Sequence, residues 1–125
     1  MKFNELVEKV GIGLAVVIAY NKLSEDFFDK LSFEQWLSVY ENAPAGSALK
    51  ETALVKMAET AQTFEQWLAV YENAPIGSEL KETALVKMAE TAQTFEQWLA
   101  VYENAPIGSE LKKTALAKMG ELIEV

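Results

Sequence analysis

From residue 64 onward, apolar side chains fall at Phe64, Trp67, Leu68 and Tyr71. The spacing i, i+3, i+4, i+7 puts them on one face of an α-helix. Val70 and Ala74 widen that face on the tryptophan side, and Glu65, Gln66, Ala69, Glu72 and Asn73 fall opposite. Thr63 followed three residues later by Gln66 is a capping box, which fixes where the helix starts. The helix is expected to stop at Asn73-Ala74-Pro75-Ile76-Gly77, because proline lacks a donor and disfavours a helical residue before it, while glycine permits the turn. Ser78 then caps a second helix with Glu79 and Glu82 in its first turn, at the positive end of the helix dipole. Leu80, Ala84, Leu85, Met88, Ala89 and Ala92 form its apolar face, and Glu79, Thr83, Lys87 and Glu90 its wet one.

The same pattern recurs along the chain. Trp36, Trp67 and Trp98 stand 31 residues apart, and so do Pro44, Pro75 and Pro106. Ser32 to Gln62 differs from Thr63 to Gln93 at four positions, and the latter differs from Thr94 to Glu124 at six. Identity of that order means recent duplication or deliberate construction. Each second helix runs almost directly into the next capping residue, so consecutive helices are expected to lie roughly antiparallel. A single hairpin cannot bury both sides of its apolar surface, and stacked neighbours must cover it.

The expected fold is therefore all-α: an α-solenoid of three 31-residue helix-turn-helix repeats (32–62, 63–93 and 94–125) forming one cooperative domain with an N-terminal helical cap, 1–31. Within the cap the pattern predicts one helix from about Asn4 to Leu23 and a short one after Ser24 that carries Phe27, Phe28 and Leu31. The expected core comprises Trp36, Tyr40, Phe64, Trp67, Tyr71, Trp98, Tyr102, Met57 and Met88. Trp67, in the middle repeat, should matter more to stability than Trp98 near the end. The last repeat exchanges Thr91-Ala92 for Leu122-Ile123, an apolar pair expected to fold back or to drive weak association with a second copy.

In architecture the chain resembles the tetratricopeptide and Sel1-like class of helical-hairpin solenoids over residues 32 to 124. Its motif departs from tetratricopeptide units, since Trp67 and Tyr71 are four residues apart and Pro75 separates the two helices. The pattern F-E-Q-W-L, Y-E-N-A-P-x-G-S, A-L-x-K-M is similar to short hairpin repeats of bacterial proteins. That resemblance implies a fold and no particular activity.

Charge and missing residue types narrow the chemistry. The 125 residues carry 19 acidic and 11 basic side chains, a net charge of −8, and every basic residue is lysine. Nucleic-acid binding is not expected, because it needs a basic face and usually arginine. Without cysteine or histidine the chain lacks thiolate nucleophiles, the usual general base and the usual zinc ligands. No phosphate loop, dinucleotide glycine motif or nucleophile elbow is present. An enzyme is not expected, and neither is a cofactor or a metal.

The candidate interaction surface is polar. Glu41, Glu72 and Glu103 recur at one place in each repeat, beside Asn42, Asn73 and Asn104, and stacked helices would turn them into a ladder along one face. Such a row could take a basic or extended peptide, could hold Ca²⁺ weakly, or could be only a solvated face. The aromatic sets read as core and not as a stacking platform.

Three functions compete: a cytoplasmic scaffold presenting a repeated surface to a protein or peptide, an amplified or engineered repeat with no evolved ligand, and a chain anchored through residues 10 to 20. That last stretch, VGIGLAVVIAY, is eleven uncharged residues, against about 20 needed to span a bilayer, so a buried cap helix is expected. Glu5 and Glu8 before it do not suit a signal peptide.

Overall fold

A computed structural model describes all 125 residues, Met1–Val125. The chain is all-helical: α1 Phe3–Val10, α2 Ile12–Ala19, a single 3-10 turn Tyr20–Lys22, α3 Glu25–Asp29, α4 Phe33–Asn42, α5 Ala48–Thr60, α6 Phe64–Asn73, α7 Glu79–Thr91, α8 Phe95–Asn104 and α9 Glu110–Glu121. It falls into two compact units, Met1–Ala61 and Gln62–Val125.

Side chains from the sequence set the helix ends. Ser32 and Gln35 form a complete capping box on α4, as Thr63 and Gln66 do on α6 and Thr94 and Gln97 on α8. Each satisfies two backbone donors that the helix itself leaves orphaned. Ser47, Ser78 and Ser109 accept from the backbone N–H three residues on and so cap α5, α7 and α9. Between paired helices the chain turns through Pro44-Ala45-Gly46-Ser47 and its two copies, closed by the Ser47 N–H donating to the Pro44 carbonyl at 3.1 Å. The third position of that turn has φ +79° at Gly46, +81° at Gly77 and +82° at Gly108. A side chain there would be strained, which is why glycine stands third in the motif.

In unit 1, α1 packs on α2, α2 on α4, and α4 on α5. The single cap helix expected from Asn4 to Leu23 is instead two helices and a 3-10 turn. Gly11, at φ +86°, ends α1 and donates to the Val7 carbonyl, so the chain reverses where the hydrophobic pattern runs straight through. Beyond the break, Gly13 lets α2 lie directly on α4, since a Cβ there would collide with the hydroxyl and the carbonyl of Ser38. Ala15 and Val16 are fully buried as a result, whereas Ile18 and Tyr20 are exposed. No helix is long and apolar enough to cross a membrane. The short helix after the Ser24 cap is present as α3, and Phe27 and Phe28 extend an aromatic chain from Phe3 to Trp36.

In unit 2, α6 packs on α7 and α8 on α9, and α7 also meets α8 and α9. The buried stripe of α6 is Phe64, Trp67, Val70 and Ala74, with Leu68 and Tyr71 only partly buried. It is thus tilted toward the tryptophan side of the expected face. Of the expected apolar face of α7, Ala84, Leu85 and Met88 are buried and Leu80, Ala89 and Ala92 partly so, while on the expected wet face Glu79, Thr83 and Glu90 are exposed and Lys87 is partly buried. Trp67 and Trp98 are both 8% exposed, so the middle tryptophan is no deeper than the later one. The difference between the helical pairs lies elsewhere: Phe64 and Leu85 are buried, whereas their counterparts Phe95 and Leu116 are exposed at the end of the unit. Trp36, Val39, Met57, Val70, Met88 and Val101 are likewise buried.

Candidate functional site

The predicted surface residues divide into two kinds. Asn42, Asn73 and Asn104 are exposed, and each side-chain amide donates at 2.8 Å to the carbonyl four residues back, of Ser38, Ala69 and Ala100 respectively. Their donors therefore serve the last turn of their own helix. Glu41, Glu72 and Glu103 are exposed at the same helix ends and enter no salt bridge. Three or more acidic residues converge nowhere in an arrangement that could hold a metal ion.

Beside them lies a feature that local periodicity does not reveal. The Lys50 ammonium donates to the Tyr40 carbonyl at 2.7 Å and sits 4.0 Å from the centroid of the Tyr40 ring. Lys81 does the same to Tyr71, at 2.7 and 4.0 Å, and Lys112 to Tyr102, at 2.7 and 4.1 Å. Tyr40, Tyr71 and Tyr102 sit in the last turn of α4, α6 and α8, where carbonyls lack intrahelical partners and the helix dipole is negative. A lysine reaching back from the following helix meets both needs, and the ring face adds a cation–π contact. The three tyrosines placed in the expected core are thus partly buried clamps at the edge of the turns. The lysine follows its tyrosine by ten residues, across a turn. Only the threefold recurrence of that interval in the sequence signals it.

In unit 2 the turn edge carries a shallow cavity of about 250 Å³ running from the clamp Tyr71–Lys81 past Ile76 and Glu82 to Asn104 and Pro106. Ile76 is 96% exposed at its rim, and Ile107 is equally exposed on the next turn. At the opposite edge of the unit a more polar cavity of about 410 Å³ lies among Gln62, Glu65, Glu90 and Gln97. There the Gln97 amide donates to the Glu65 carboxylate at 3.2 Å, a bond between successive copies of the repeat. Leu122 and Ile123, expected to favour self-association, are 47% and 57% exposed.

Set against protein-family models, curated proteins and solved structures, the chain matches none of them.

Proposed function

We propose that this chain is a non-enzymatic repeat scaffold, an α-solenoid of three 31-residue hairpins behind a helical cap, and that the edge formed by its turns binds an extended segment of another protein or peptide. The observation that carries the reading is Ile76 and Ile107, each 96% exposed on a glycine turn. A β-branched apolar residue in full solvent contributes nothing to the fold, and exposed apolar groups beside polar ones are what an extended ligand engages. Tyr71, Lys81 and Asn104 lie within the same cavity and supply an amphipathic wall with polar positions alongside. The neighbouring Glu72 and Glu103 favour a basic segment.

The experiment is a selection of displayed peptides against the whole chain, repeated on an Ile76→Ser/Ile107→Ser variant. The expected result is a shared motif with apolar and basic positions that the variant binds at least about ten-fold more weakly, a loss of roughly 1.4 kcal/mol. Peptides that bind both proteins equally, or no enrichment at all, would remove the reading. The second reading, an amplified repeat with no evolved ligand, is favoured by one observation: successive copies differ at only four and six positions, so most solvent-facing residues are repeated unchanged. A failed selection would decide for it.

A further inference from the structure

The cap and the first hairpin share a cavity of about 310 Å³, with Tyr20, Glu25, Phe28 and Asp29 from the cap and Trp36, Thr52 and Lys56 from the hairpin. Phe28 and Trp36 stack with centroids 6.0 Å apart and planes at 26°, and Tyr20 meets Phe28 at 5.5 Å and 49°. Trp36, only 2% exposed, forms the floor, while Tyr20, 40% exposed, stands at the mouth. Glu25 and Asp29, one turn apart on α3, contribute carboxylates to the same cavity. The size falls near the lower end of small-molecule sites, which run from ~300 to 1,000 Å³.

We propose that this cavity binds an alkylated ammonium group. Aromatic faces carry negative potential and attract a cation, most strongly one that gives up little hydration on entering, and because Phe28 and Trp36 stack on each other the ring that meets it is Tyr20 at the mouth. Two carboxylates at the rim repel anions and offer nothing to a neutral apolar guest, so the charge of the site complements a cation. A quaternary or methylated ammonium also asks for few hydrogen bonds, and no buried side-chain donor or acceptor in the protein is left without a partner. Lys56 borders the cavity, but its ammonium is drawn to Glu59 at 3.2 Å. Four of the lining residues, Tyr20, Glu25, Phe28 and Asp29, belong to the cap, so the site occurs once in a chain that otherwise repeats itself. It is independent of the turn edge proposed above, and each reading can fail alone.

The test titrates the whole chain with choline, with its neutral carbon isostere 3,3-dimethylbutan-1-ol, and with a peptide bearing trimethyllysine, following backbone amide shifts. Saturable shifts confined to residues around Phe28 and Trp36 are expected for the charged probes. The isostere should bind at least about ten-fold more weakly, the size a cation–π and carboxylate preference gives at a partly desolvated site. Whichever charged probe binds more tightly identifies the source of the group. The variant Glu25→Gln/Asp29→Asn, whose changes lie at exposed positions, should weaken choline by a similar factor with unchanged circular dichroism. Lys56→Met should tighten it. Equal binding of choline and its isostere, no localised shifts, or a double variant that binds as well as the parent would each overturn the proposal.

Discussion

Replacing Trp36 by alanine is expected to destabilise unit 1 by about 4 kcal/mol, the middle of the range for deleting a large buried aromatic. The indole is 2% exposed, stacks on Phe28, and sits on the buried stripe of α4 with Phe33 and Val39. Its loss would open a cavity that surrounding side chains fill poorly, because α2 is already in van der Waals contact with α4 through Gly13 and cannot move closer. Urea titration followed by circular dichroism measures the effect. Trp67→Ala and Trp98→Ala should cost similar amounts to each other, since both indoles are 8% exposed. A Trp36 variant with a loss below ~1 kcal/mol would show that the cap does not pack on that hairpin as described.

Gly13→Ala should cost about 3 kcal/mol although it adds one methyl group. Within a helix this substitution is ordinarily favourable by up to ~1 kcal/mol, because alanine is the better helix former. Here the new methyl would land on the Ser38 hydroxyl and carbonyl, and a backbone carbonyl inside a helix cannot step aside. Either α2 lifts away, exposing Ala15 and Val16, or α4 distorts. Gly120→Ala is the internal control: Gly120 lies in α9 with nothing within 4 Å of the added carbon, so that variant should gain stability. Thermal unfolding of the two variants side by side is the check. A Gly13 variant as stable as the parent would mean that α2 and α4 are not in close contact.

Much of this architecture was legible before any coordinates, and the reasons are local. Capping boxes at Ser32, Thr63 and Thr94 and the proline-glycine turns act over three or four residues, so they survive any tertiary context, and the structure reproduces each. What periodicity could not show depends on partners distant in the chain. Gly11 sits inside an apolar run with helical spacing on both sides, and only its positive φ reveals the reversal. Val70 and Ala74 belong to the expected face, but its spacing does not show that they are buried deeper than Leu68 and Tyr71. Tyr40, Tyr71 and Tyr102 read as core because tyrosines at helical spacing usually are, whereas a lysine from the next helix covers each ring at the surface. The cap cavity joins Tyr20 to Lys56 and has no signature in the sequence at all.

The fold described above requires all three tryptophans to be interior. Three variants that keep one indole apiece, with the other two changed to phenylalanine, allow acrylamide quenching to report on Trp36, Trp67 and Trp98 separately. The account predicts blue-shifted emission and strong protection at all three, with Trp36 the most protected. Emission and quenching like those of free indole at any of the three sites would contradict it.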